Sequence, residues 1–344
     1  MTLKTTSYKY LCLLFAILIS LTKVSAQYAS QEELKKAAET FFAEEDYIKA
    51  LPLYSQLLSL YPKDPDYNYK YGACYFFGNR EKEDALKYLT FATSKPNVNP
   101  QAFYFLALVQ HHEYQFATAE LNYKKFKEKG LPKDVQHFQV DRKIEMCRNG
   151  VTLLRSMTDI GVLQKKEIRA TEFFRSYDLK GIGGKVVVKP DEFKTKLDVK
   201  KKESSIIHIG DNPKMVVFSS YGNDEKTGKD IFKVVKLPNG EWSSPSMFPD
   251  INTNFDDDYP FLHPDGKTLY FSSKGYNSMG GYDIFKSTFD QSTGKWSLPE
   301  NLDFPINTPD DDILFISDID NELAYFASSR ASKQGELTVY KVQV

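Results

Sequence analysis

The sequence predicts a multidomain α + β protein, with an all-α solenoid of helical repeats over residues 27–155 and an all-β repeat region over 156–344. Three observations carry this. Ala50, Ala85 and Ala119 recur at spacings of 35 and 34 within amphipathic, aromatic-rich stretches. Phe218, Phe271 and Phe326 recur at spacings of 53 and 55. From about residue 151 the helical period gives way to short β-rich runs punctuated by Gly, Asn and Asp.

The first residues stand outside both regions. Lys4 and Lys9 make a positive start, "YLCLLFAILISL" (Tyr10 to Leu21) is apolar, and "VSA" (Val24 to Ala26) offers small residues for cleavage. The apolar run is too short to span a bilayer comfortably. Residues 1–26 therefore read as a cleaved signal peptide, and the protein as exported, with no transmembrane segment once the signal is removed. Cys12 lies inside the apolar run, which argues against a lipoprotein cleavage site. The remaining chain has 42 basic and 46 acidic residues, a net of −4, which argues against nucleic acid as a partner. Cys74 and Cys147 fall on predicted helices more than one repeat apart, so they read as small buried residues rather than a disulfide.

The helical region divides into three units. The first carries Leu34, Ala38, Phe41, Ala50, Tyr54, Leu57 and Pro62. Gly72, Tyr75, Ala85, Leu89, Ala92 and Pro96 form the second, and Phe103, Leu106, Ala119, Tyr123, Phe126 and Pro132 the third. Small residues let two helices approach, aromatic residues fill the gap to the next hairpin, and proline ends the second helix. The pattern resembles the tetratricopeptide repeat. "DVQHFQVDRKIEMCRNGVTLLR" (Asp134 to Arg155) is expected to cap the array. Such an array implies a concave groove for protein partners, with Tyr104, Tyr114 and Tyr123 as candidate groove aromatics, although some must be core; the plainer alternative is a spacer. "HHE" (His111 to Glu113) has no third ligand nearby and reads as a solvated turn.

In the β region, fourteen residues after each repeated Phe comes Phe232, Phe285 or Tyr340, each between Ile or Val and Lys. Trp242 and Trp296, both in "G-x-W", are 54 apart. One tile runs through "YPFLHPDG", a turn at Asp265-Gly266, "KTLYFSS", then "YDIFKSTFD" and a short edge after "STGKW". Three full tiles and a partial unit in 165–205 suggest a β-propeller of about four blades.

"HPDGKTLYFSSKGYNSMGGYDIFKS" resembles the WD-like, TolB-type propeller repeat of exported Bacteroidetes proteins. With the signal peptide and helical repeats, the chain is similar to the N-terminal part of OmpA-family envelope proteins of that phylum, such as the peptidoglycan-associated component of type IX secretion. "FFRSYDLKGIGGKVVVKPDEF" (Phe173 to Phe193) looks like that group's entry into its first blade. The resemblance implies a periplasmic location, or one on the periplasmic face of the outer membrane. It implies envelope proteins as partners through the helical groove and propeller face. Relatives continue into a peptidoglycan-binding domain. The present sequence ends at Val344 and carries no lipobox, so peptidoglycan binding and lipid anchoring are not expected to carry over.

Asp256, Asp257 and Asp258 recur as Asp310, Asp311 and Asp312. Asp256, Asp258, Asp310 and Asp312 are candidate calcium ligands, since Ca²⁺ takes six to eight oxygens. The EF-hand spacing and its closing Glu are absent. Recurrence at a fixed repeat position favours a structural role, each Asp accepting hydrogen bonds from loop N–H groups of its neighbour. No nucleophile elbow and no H-E-x-x-H is present. The expectation is a non-enzymatic scaffold without cofactor; a calcium- or carbohydrate-binding module and, behind it, a hydrolase using paired carboxylates stand as alternatives. "GIGGK" (Gly181 to Lys185) is expected to be a turn, and "KTKLDVKKKE" (Lys194 to Glu203) a solvated basic loop.

Overall fold

A computed structural model of the protein describes residues 30–79, 82–157, 159–222, 228–248 and 250–344. The candidate signal segment lies outside them. Among the described residues eight helices precede the strands: α1 (Gln31–Ala43), α2 (Tyr47–Leu60), α3 (Pro65–Asn79), α4 (Lys82–Thr93), α5 (Gln101–His112), α6 (Phe116–Lys129), the short α7 (Pro132–His137) and α8 (Val140–Leu153). Ser30 and Asp46 start α1 and α2 by accepting the Glu33 and Lys49 N–H groups. Consecutive helices pack in pairs, and α8 covers the end of the array by packing on α6. Among the described residues no helix is long and apolar enough to cross a membrane.

The repeated alanines sit where helices meet. Ala50, Ala85 and Ala119 are fully buried. A Cβ placed on Gly72 would lie 2.9 Å from Leu89 Cγ and 3.2 Å from the Ala85 carbonyl oxygen, so the α3–α4 approach requires glycine there. Aromatic rings fill the space between hairpins: Tyr47 stacks on Phe77 at 4.3 Å, and Phe42 meets Phe105 edge-on at 5.7 Å. Ala85→Leu is expected to overpack this contact and cost about 2 kcal/mol, read as a lower urea midpoint with an unchanged slope. Cys74 and Cys147 are buried free thiols.

Antiparallel sheets follow. β1 (Gly161–Arg169) pairs with the final strand β14 (Glu336–Gln343), giving the order β1-β14-β13-β12 with β13 (Leu323–Ser328) and β12 (Asp312–Ser317). Here the first and last strands of the region share one sheet. A second sheet runs β10 (Lys295–Trp296), β9 (Asp283–Asp290), β8 (Thr268–Ser273), β7 (Asp257–Leu262), with β11 (Glu300–Asn301) also on β9. A third contains β4 (Met215–Ser220), β5 (Asp230–Val235) and β6 (Ser246–Met247), and β2 (Lys185–Val188) pairs with β3 (Ile206–Ile209). β7 packs on β4, and β12 on β8.

The expected turn at Asp265-Gly266 is present: Gly266 has φ 70°, and Asp265 Oδ1 accepts the Lys267 and Thr268 N–H groups. Gly181, Gly183 and Gly184 all have positive φ, as a turn requires. The basic stretch after Lys194 is different from expectation. It forms a short helix, α9 (Lys196–Lys200), started by a reciprocal cap between Thr195 and Asp198, and Asp198 is buried. Tyr259 and Leu314, 55 positions apart, both have φ 51° where the register slips between β7 and β8 and between β12 and β13. The repeat therefore includes a bulge that no sequence signal announced.

Candidate functional site

The repeated polar residues join one sheet to the next. Asn252 closes on the backbone of Ile231, accepting its N–H at 2.7 Å and donating to its carbonyl at 3.1 Å. Asn307 does the same to Ile284, at 2.7 and 2.8 Å. Thr253 and Thr308 each donate N–H and hydroxyl to Oδ2 of Asp257 and Asp312. Asp256 Oδ1 accepts the Lys229 N–H, and Asp311 Oδ1 that of Tyr282. Ser220, Ser273 and Ser328 accept the N–H groups of Gly222, Gly275 and Arg330. Each "INT" therefore clasps a strand of the preceding sheet. Asn307→Ala removes a buried two-point bond and is expected to cost about 2 kcal/mol, lowering Tm by roughly 4–8 °C in a melt followed by near-UV circular dichroism.

These bonds correct the alignment of the acidic triplets. Hydrogen bonding equates Asp256 with Asp311 and Asp257 with Asp312, one residue off the match made on runs of Asp. Asp258 then corresponds to Ile313, and Asp310 to Phe255. The fixed points are the Asn and Thr of "INT", because the Asn bonds to backbone and the Thr bonds to Asp257 and Asp312 set one register.

The four candidate metal ligands go to separate partners. Asp256 is also 3.2 Å from Lys274 Nζ; despite partial burial, the Lys229 N–H and Lys274 hold its carboxyl below the usual range. Asp258 accepts the Tyr259 N–H, the Ser219 hydroxyl and Lys229 Nζ. Asp310 lies 3.3 Å from His112 Nδ1. Asp312 pairs with Arg330 at 2.6 Å, and burial raises its carboxyl although Arg330 opposes the shift. Among the described residues no group of three or more His, Cys, Asp or Glu side chains is placed to hold a metal ion. Around Asp258 lies a buried ion network instead. Lys189 Nζ reaches Asp198 at 3.0 Å and Glu203 at 2.9 Å, and Lys229 bridges Glu203 and Asp258. Burial works against the Lys229 charge, but Asp258 and Glu203 hold its ammonium above its usual range.

Helical array and β region meet at a built interface. Arg142 of α8 donates to three successive carbonyls, Lys274 and Gly275 through Nη2 at 2.7 and 2.8 Å, and Tyr276 through Nη1 at 3.1 Å. Its guanidinium carbon lies 4.8 Å from the Phe255 ring centre. Asn149 donates to the Ser278 carbonyl at 3.0 Å. His111 Nε2 donates to the Met279 carbonyl at 2.7 Å, which leaves Nδ1 to accept the Cys147 thiol at 3.5 Å. Burial lowers His111 to about 3, keeping it neutral. The "HHE" stretch is thus part of the junction rather than a solvated turn: His112 faces Asp310, and Glu113 faces Lys82 at 3.5 Å. Arg142 and His111 had one weak signal in the sequence, a charged or titratable residue on the apolar face of its helix.

Tyr104 and Tyr123 lie within the helical core, 7% and 0% exposed, and Tyr114 packs edge-on against Phe304 of the β region at 5.7 Å. The surface that remains open on the array is lined by other residues. A cavity of about 540 Å³ is bounded by Phe42 and Tyr47, by Tyr69 and Lys70 of α3, and by Phe105 and Phe138. A second cavity, about 660 Å³, lies between α7, α8 and Phe255 at the junction.

No family model matches the chain, and no curated protein matches it. Among solved structures, the tetratricopeptide-repeat domain of Sgt2 from Aspergillus fumigatus is similar to 38% of this chain and 85% of that chain, at 22% identity and a TM-score of 0.31. That score is too low to carry weight. The helical assignment rests on the paired helices and buried alanines of this chain.

Proposed function

We propose that this chain is a non-enzymatic scaffold that binds other proteins in the cell envelope, with tetratricopeptide-type hairpins and a small propeller-like β region acting as one body. The observation that carries the reading is the division of labour among its polar groups. The repeated Asp, Asn, Thr and Ser side chains bond to neighbouring backbone, and Arg142, Asn149 and His111 bind one region to the other. What they leave for recognition is the aromatic-lined face of the array, the kind of surface on which few residues carry most of the binding energy. The pairing of β1 with β14 supports the propeller-like reading, since it ties the first strand to the last sheet. The signal-like start supports export to the periplasm or the periplasmic face of the outer membrane.

Affinity capture of the tagged full chain from crosslinked cell envelopes, read by mass spectrometry, tests this. Reproducible recovery of envelope proteins, lost when residues 27–150 are deleted, is the expected result. Recovery of the chain alone would count against it.

A further inference from the structure

The open face of the helical array is partly filled by the chain itself. Between α6 and α8 the chain forms the short α7, and Leu131 to Gln139 borders a cavity that residues of α1, α3 and α5 also line. Phe138 stacks on Tyr104 of α5 at 4.2 Å and 18°, and meets Phe105 edge-on at 6.2 Å. His137 Nε2 reaches Glu45 Oε1, in the α1–α2 turn, at 3.0 Å.

The segment is lightly held. None of the α7 residues is buried. Its backbone hydrogen bonds run almost wholly within itself: Asp134 and Val135 N–H to the Leu131 carbonyl, Phe138 N–H to that of Asp134, and Gln139 N–H to that of Gln136. Gln139 passes one bond on to α8 through its carbonyl. Val135 and Phe138 are the apolar anchors, both only half-buried. Both ends change direction sharply. Gly130 ends α6 with an extended ψ of 164°, and Gln139 sits in the left-handed region at φ 48°. The segment also separates the two cavities. Lys133, His137 and Phe138 line the 540 Å³ one, and Pro132, Gln136 and Gln139 the 660 Å³ one.

We infer that Leu131–Gln139 is a displaceable strap, and that a partner segment presenting an aromatic side chain docks on Tyr104 and Phe105 in place of Phe138. This rests on the scaffold reading and names the partner chemistry of the same face. Phe138 itself shows what the face accepts, a ring stacked on Tyr104. The charged groups around it are of both signs, Glu39, Glu45 and Asp134 beside Lys70 and Lys133, so the ring and not net charge selects the partner. Local opening of a segment with few buried contacts costs far less than global unfolding.

The test uses the full chain and two variants. One is Phe138→Ala. The other carries Glu45→Cys and His137→Cys joined by a short bismaleimide, with Cys12 replaced by Ser, and with Cys74 and Cys147 buried and out of reach. The probe is a fluorescent peptide of the strap sequence, "LPKDVQHFQ", against a control with its Phe replaced by Ala. Amides of 131–139 are expected to exchange with deuterium on the order of 100-fold faster than those of α6 and α8. The peptide should bind Phe138→Ala about 10-fold more tightly than the unaltered chain, the locked variant should not bind it, and the control peptide should fail throughout. Strap amides as protected as α6, or a peptide that binds all forms equally or none, would overturn the strap. Failure of envelope capture with these results intact would overturn only the scaffold reading.

Discussion

Arg142→Ala is expected to separate the melting of the helical array from that of the β region. In the unaltered chain the helical signal at 222 nm and the near-UV signal should fall together. In the variant the β region should keep its midpoint while the helices melt first. Arg142 is only 8% exposed, and its guanidinium satisfies three successive carbonyls of the 274–276 turn. Removing it deletes three charge-assisted bonds across the junction, a loss of about 3 kcal/mol in coupling between the regions. Lysine will not restore it, because one ammonium cannot present the planar fork that reaches all three oxygens. Coincident melting of both signals in Arg142→Ala would show that the regions are coupled by other contacts.

Asp257→Asn is expected to stabilise the protein at and above neutral pH. Burial pushes the Asp257 carboxyl up to about 7, and Asp257 is 0% exposed. A folded-state value above the unfolded one means the folded chain holds the proton more tightly. The favourable contribution is full below about pH 4 and lost as pH rises through 7. The difference corresponds to roughly 4 kcal/mol. Asparagine keeps an oxygen for the Thr253 N–H and hydroxyl without the buried charge. The gain should therefore be largest at pH 8 and vanish near pH 4. His111 acts in the opposite window. Its folded value of about 3 lies below the unfolded one, so its contribution is full above about 6.5 and falls as pH drops towards 3. Urea midpoints from pH 4 to 8 read both slopes. A variant with no gain at pH 8 would show that the Asp257 carboxyl is not raised in the native state, its charge being compensated there.

Much of the fold was legible because repetition multiplies weak signals. One alanine in a helix says little, but Ala50, Ala85 and Ala119 at nearly constant spacing mark close helix approaches, and all three are fully buried. The tiles built on Phe218, Phe271 and Phe326 likewise became β4, β8 and β13, with Asp265-Gly266 turning the chain between β7 and β8. Runs of identical residues misled where anchors did not. The acidic triplets invited an alignment at 54, whereas the Asn and Thr contacts set the equivalence at 55. The bulges at Tyr259 and Leu314 were invisible, because tyrosine and leucine carry no mark of positive φ. The junction was also hidden. His111, Arg142 and Asn149 pair with carbonyls more than 120 positions away, and a carbonyl has no side-chain signature. Tyr104 and Tyr123 showed only that they were aromatic, and whether such a ring lines a groove or fills a core depends on the neighbouring hairpin.

The repeated carboxylates bond to backbone N–H groups and to Lys and Arg side chains, and are expected to hold the sheets together without a cation. The most direct test is the thermal midpoint of the full chain in about 2 mM Ca²⁺ and in excess chelator. A carboxylate set that bound the ion would raise the midpoint by mass action. The same midpoint is expected in both, and a lowered one in Asp256→Asn whether or not calcium is present. A rise of several degrees with calcium, abolished in Asp256→Asn and Asp258→Asn, would contradict it.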